Sequence, residues 1–105
     1  MKTETLRKSI LKIMDSQIEE MAAISKPLID EGSHNKDIAD WFSKLSVYAV
    51  KSYECRDRVL ELANDKDMLS ELDTFGKFVR AFELKAVTDM ARLGFEIEIA
   101  IVAKQ

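Results

Sequence analysis

The sequence predicts an all-α fold: one domain over residues 1–105, built as an elongated three-helix up-down-up antiparallel bundle. An apolar stripe with alternating three- and four-residue steps runs through the middle of the chain for more than three heptads. Gly occurs three times and Pro once, which leaves few breaks for hairpins or sandwich corners. Two short polar segments divide the chain into stretches of about 28 residues, the length of a long bundle helix.

The middle helix, predicted over residues 36–63 with Asn35 or Ser33 as its N-cap, carries that stripe. The stripe consists of Ile38, Trp41, Leu45, Tyr48, Ser52, Cys55, Val59 and Leu62. A second row beside it consists of Phe42, Ala49, Tyr53 and Leu60. An apolar face this wide is typical of a helix that contacts two neighbours, as the middle helix of a three-helix bundle must.

The outer helices are predicted over residues 3–31 and from about 68 to 102, the latter capped by Asp65 or Asp67. Pro27 lies inside the first helix, where it removes an N–H donor and crowds the preceding turn. We therefore expect a kink at Pro27, or a break there. Gly76 interrupts the pattern of the third helix, which predicts a restart near Asp73.

The third helix has an apolar row on roughly the opposite side from its main stripe, where two bundle neighbours cannot cover it. The row consists of Leu84, Val87, Ala91, Phe95 and Val102. We interpret it as an interaction surface for a second copy of the chain, for another protein, or for both. Residues 95–101 also alternate apolar and polar side chains, which fits an intermolecular strand, but we favour a helix.

The overall composition narrows the class of protein. Apolar residues make up 47% and charged residues 33%, which is typical of a globular chain. The net charge of −3 disfavours a large phosphate-binding face. No apolar run has the length of a secretory signal core or of a membrane span. We therefore expect a cytoplasmic protein without membrane insertion, in which the single Cys55 is a reduced, buried thiol.

A polar layer is the best candidate for chemistry. With antiparallel helices, Gln17, Tyr48 and Glu83 come to similar heights in the bundle. They would form either a small-molecule pocket, with Glu83 as a general base, or a hydrogen-bonded layer that fixes the helix register, and we favour the second. The only histidine, His34, falls in the first loop, and no metal-ligand spacing is present. We predict no catalytic residue, no metal and no cofactor.

The start of the first helix resembles the opening of an AroQ-type chorismate mutase, another small helical protein. The resemblance rests on Leu6, Arg7, Lys8, Ser9, Ile10, Ile13, Asp15, Gln17 and Ile18. It implies an all-helical fold and covers the first helix alone. Asp15 is one residue away from the family's spacing, and of the further cationic residues that the family needs along this helix only Lys26 is present, so no site residue follows from it.

We therefore expect a small cytoplasmic protein-interaction module, such as a regulator, an inhibitor or an immunity-type binding protein, that acts through helix faces and self-associates. The first alternative is a small-molecule-binding or catalytic bundle that uses the polar layer. The second alternative is a nucleic-acid-associated regulator that uses two clusters of basic residues, Arg7, Lys8, Lys12, Lys77 and Arg80. Acidic side chains are interleaved with both clusters, so we favour a solvated charged face at those positions.

Overall fold

The structure is a computed structural model that describes residues 2–93, with side chains described for residues 2–89. Three helices follow one another: α1 spans Lys2–Gly32, α2 spans Lys36–Glu61 and α3 spans Asp65–Leu93. Residues 2–93 contain no strand, and each helix packs on both of the others. The prediction of an all-α three-helix bundle is confirmed, whereas the strand alternative for 95–101 lies outside the described residues.

α1 forms because apolar residues recur at helical spacing on one face, with Ile10, Met14 and Met21 buried along it. The helix runs without a break through Pro27, so the break that the sequence allows does not occur. Two residues earlier, the Ser25 hydroxyl donates a 2.7 Å hydrogen bond to the carbonyl of Met21. The kink at Pro27 stays a prediction.

α2 begins as expected, because the Asn35 side chain accepts hydrogen bonds from the N–H groups of Asp37 at 3.0 Å and Ile38 at 3.4 Å. These bonds satisfy two of the donors that a helix leaves free at its N-terminus. α2 ends at Glu61, two residues before the predicted end, where the N–H of Leu62 donates to the carbonyl of Arg58.

α3 differs from the prediction at two points. Its N-terminal cap is Asn64, whose Oδ1 accepts a 2.8 Å hydrogen bond from the N–H of Asp67, so the expected caps Asp65 and Asp67 lie inside the helix. The helix then continues through Gly76 without a restart near Asp73. Burial of the flanking apolar side chains outweighs the helix-breaking tendency of one glycine, about 1 kcal/mol relative to alanine.

One core runs along the bundle, and its largest fully buried side chains are Phe75, Phe82, Ile10, Met14, Leu28, Leu45 and Met68. Contacts between the helices follow a regular order. Near the start of α1, Arg7 donates to the carbonyl of Val59 near the end of α2. Near the start of α2, Trp41 donates to Asp89, late in α3. Each of these contacts joins the start of one helix to the end of another, as is typical of antiparallel neighbours. They support the up-down-up arrangement of the helices, which stays a prediction.

Candidate protein-interaction site

An open groove of about 570 Å³ lies between α1 and α3, which pack on each other less extensively than either packs on α2. We call it the α1/α3 groove. It is lined by Ile13, Gln17, Leu69, Leu72, Asp73, Phe75, Gly76, Val79, Arg80 and Glu83. Its lining is therefore mostly apolar, with a few polar side chains, as in sites that receive an amphipathic partner.

The apolar part of the α1/α3 groove is accessible from outside the protein. Phe75 and Val79 are buried and belong to the core. Ile13 of α1 and Leu69 of α3 remain 49% and 50% exposed. A partner that entered the groove would bury the exposed half of each side chain, which is worth about 0.7–1.5 kcal/mol per residue, half of the value for a fully exposed side chain.

Gly76 leaves the backbone of α3 uncovered at this groove. A Cβ atom at position 76 would lie 3.2 Å from Nη1 of Arg80, so the guanidinium of Arg80 sits beside this glycine. Arg80 is exposed and makes no hydrogen bond or ion pair with any residue of the described part of the chain. Asp73 has one exposed partner, Lys77, at 3.5 Å. The wall of the groove on α3 thus presents one cation, Arg80, and two carboxylates, the weakly paired Asp73 and Glu83.

The structure brings two members of the predicted polar layer to this groove. Gln17 and Glu83 line it, from α1 and α3 respectively. Tyr48 is not among the lining residues; it is half-buried on α2, and its carbonyl accepts a 2.9 Å hydrogen bond from the Ser52 hydroxyl. The layer of three residues therefore stays a prediction.

The predicted apolar row of the third helix begins on the same helix as the groove wall. Leu84 and Val87 are 70% and 66% exposed, the two most exposed large apolar side chains among the described residues. The side chain of Ala91, and Phe95 and Val102 as a whole, lie outside the described residues. The row as an interaction surface stays a prediction, and its first two members are open to solvent.

Cys55 lies in the core rather than at a surface. It is fully buried, and Nη2 of Arg58 approaches its sulfur at 3.4 Å, while Nε of the same arginine binds Glu71 at 2.9 Å. Burial raises the pKa of the Cys55 thiol, Glu71 raises it further, and Arg58 acts in the opposite direction. The thiol therefore stays protonated near neutral pH, which does not favour nucleophilic chemistry.

The remaining polar candidates are dispersed. His34 lies in the exposed connection between α1 and α2. Within the described residues, no three side chains of His, Cys, Asp or Glu are placed to hold a metal ion.

Two residues of the basic clusters already have partners within the chain. Arg7 contacts Glu4 and the carbonyl of Val59, and Lys77 pairs with Asp73. Over residues 2–93, no helix is both long and apolar enough to cross a membrane.

Comparisons with known proteins found no match to this chain among protein-family models, curated proteins or solved structures. The resemblance of the first helix to AroQ-type chorismate mutases therefore contributes no site.

Sequence reasoning missed the part of the site on α3. Leu69, Asp73 and Gly76 line the α1/α3 groove together with Arg80, whereas the sequence pattern predicts a helix restart there. A usable signal exists, because Leu69, Asp73, Gly76, Arg80 and Leu84 follow one another at steps of three or four residues. Residues at such steps share one side of a helix, provided that the helix is continuous.

Proposed function

We propose that this chain is a small cytoplasmic protein-interaction module, a regulator, an inhibitor or an immunity-type binding protein, that acts through helix faces and self-associates. The observation that supports the proposal is the accessible apolar surface on and beside α3. That surface consists of the α1/α3 groove, with half-exposed Ile13 and Leu69, and of exposed Leu84 and Val87.

A helix from a partner suits this surface better than a flat contact does. An amphipathic helix that lies in a groove between two helices covers apolar side chains at helical spacing. The polar groove residues Gln17, Asp73, Arg80 and Glu83 would then remain at the rim, where charges guide orientation more than they add affinity. The net charge of −3 would also favour the approach of a basic partner.

The test compares two leucines of similar chemistry on different helices. Leu84→Glu places a charge on the proposed surface, and Leu60→Glu places the same charge on α2, where Leu60 is 52% exposed. Sedimentation equilibrium should show a wild-type dimer, a Leu84→Glu monomer and a dimeric Leu60→Glu, with equal helicity by circular dichroism. Equal masses for all three proteins would contradict a role of this face.

A second candidate function has one observation in its favour, since Gln17 and Glu83 line the same groove of about 570 Å³. A small amphipathic molecule would place its apolar part on Leu72 and Val79 and its polar group near Glu83. The test is a titration with Nile red, an uncharged fluorescent probe that binds apolar sites. Saturable binding that is lost in Gly76→Leu and kept in Leu60→Glu would support this candidate, and no saturable binding would remove it.

A further inference from the structure

Five residues of α3 form a stripe in which reversal of direction exchanges an acid with a base and a leucine with a leucine. We call Leu69, Asp73, Gly76, Arg80 and Leu84 the α3 stripe. From one end to the other, the stripe carries a leucine, an acid, a glycine, a base and a leucine. Both leucines are exposed, at 50% and 70%, and both charged residues are exposed as well. A surface with this symmetry is complementary to a second copy of itself.

We propose that two copies of this chain dimerise by packing their α3 helices antiparallel, so that Asp73 of each copy pairs with Arg80 of the other. The two-fold axis passes between Gly76 and Lys77. Asp73 precedes that midpoint by as many residues as Arg80 follows it, and Leu69 and Leu84 are related in the same way. This inference rests on the proposed self-association and specifies its geometry.

Charge complementarity selects the antiparallel arrangement. In a parallel pair, each side chain of the stripe would face its own copy, so that Asp73 would meet Asp73 and Arg80 would meet Arg80. In an antiparallel pair, Asp73 of each copy meets Arg80 of the other. The two resulting ion pairs are related by the two-fold axis. Arg80 is available for this contact because it makes no ion pair within the described part of the chain.

Gly76 suits the centre of such a contact. It has no side chain, so the backbones of the two helices can approach closely beside the axis. The Arg80 guanidinium lies beside Gly76 in the single chain, with Nη1 3.2 Å from where a Cβ would be. The guanidinium is the far end of a flexible side chain. In the dimer it would turn from Gly76 of its own chain towards Asp73 of the second copy.

The leucines close the two ends of the contact. Leu69 and Leu84 are fifteen residues apart, which is about 22 Å along a helix. In the antiparallel pair, Leu69 of one copy covers Leu84 of the other at both ends. Because Leu69, Asp73, Gly76 and Arg80 also line the α1/α3 groove, the second α3 would lie along that groove and approach Ile13 of α1.

The first test exchanges the charges of the stripe. Asp73→Arg and Arg80→Asp each place like charges opposite one another twice, and each should weaken the dimer about 10-fold or more. The double variant, Asp73→Arg with Arg80→Asp, restores both pairs and should dimerise like the wild type. Glu54→Arg and Lys44→Asp are matched controls, because both residues are exposed on α2, and they should leave the dimer unchanged.

The second test fixes the helix direction with disulfides. Each variant carries one introduced cysteine, at position 73 or at position 80, and Cys55 is fully buried, so a disulfide at the contact joins two chains. An oxidised mixture of Asp73→Cys and Arg80→Cys proteins should cross-link between the two variants and far less within either one. Cross-linking of Asp73→Cys alone, at the level of the mixture, would overturn the antiparallel arrangement.

The outcomes separate this inference from the proposed function. A wild-type chain that stays monomeric at all concentrations overturns self-association and this pairing together. A wild-type dimer that both charge reversals leave intact overturns the pairing alone, and self-association then uses another face. Loss of the dimer in each reversal with recovery in the double variant supports the pairing, and no recovery counts against it.

Discussion

The indole N–H of Trp41 donates a 2.7 Å hydrogen bond to Oδ2 of Asp89, forty-eight residues further along the chain. The bond joins the first part of α2 to the late part of α3. Nζ of Lys85 binds the same carboxylate oxygen at 2.8 Å, and Asp89 is buried. A buried carboxylate is costly unless it is paired, so these contacts position the helix that carries the α3 stripe.

Replacement of Trp41 by phenylalanine should reduce stability. The variant Trp41→Phe removes the N–H donor and leaves Asp89 with one fewer partner. We expect the free energy of unfolding to fall by about 1–3 kcal/mol, in urea unfolding followed by circular dichroism. Tyr53→Phe is the control, because Tyr53 is half-exposed on the same helix, and it should change stability little. Equal losses in both variants would contradict the role of the bond.

The contact of Arg7 with the end of α2 should also be measurable. Arg7 is largely buried, and its guanidinium donates to the carbonyl of Val59, one of the last carbonyls of α2, where a cation is favourable. Arg7→Met should lower the free energy of unfolding by about 1–3 kcal/mol. Lys8→Met, at the exposed neighbouring position, is the matched control. The measurement is the free energy of unfolding of both variants in urea. Similar values for the two variants would argue against a stabilising contact between Arg7 and the Val59 carbonyl.

The N-cap of α2 gives a third prediction. Asn35→Ala removes the acceptor of the Asp37 and Ile38 N–H groups and should cost about 1 kcal/mol. Asn35→Ser keeps a side-chain oxygen at the cap and should retain most of the stability. The measurement is thermal unfolding of both variants. If Asn35→Ser lost as much stability as Asn35→Ala, the capping interaction would not be the cause.

Stability should fall at high pH because of Cys55. Burial raises the pKa of its thiol above the ordinary value of 9.0, and Glu71 raises it further. The folded chain then holds the thiol proton more tightly than the unfolded chain does. This contribution is therefore complete below the unfolded pKa and is lost as pH rises through the folded pKa. The free energy of unfolding should fall more steeply above pH 9.0 in the wild type than in Cys55→Ala.

That difference is measured by urea unfolding at pH values on either side of 9.0. Subtraction of the Cys55→Ala curve removes the contributions of tyrosines and lysines, which titrate in the same range. Parallel curves for the two proteins would show that the thiol does not contribute.

Much of the fold follows from apolar periodicity alone. The stripe of α2 predicts burial at Leu45, Cys55 and Val59, and the structure buries all three. The cap at Asn35 can be predicted because an amide side chain just before an apolar repeat can accept hydrogen bonds from the first N–H groups of the helix. These features depend on residues within a few positions of one another, so the sequence contains the information directly.

Features that depend on distant packing could not be predicted in the same way. The Trp41–Asp89 bond requires the register of α2 against α3, which no local pattern specifies. The unfavourable helix propensity of Gly76 predicts an interruption, whereas the burial of Phe75 and Val79 keeps the helix intact. The α3 stripe became visible only once that continuity was established.

The central claim is that this chain self-associates through α3, and the mass of the wild-type protein in solution tests it most directly. Light scattering after size exclusion, over a wide range of loading concentrations, should show the mass rising towards that of two chains. A mass of one chain at every concentration would contradict the account, and Leu69, Leu84 and Val87 would then be exposed without a second copy to cover them.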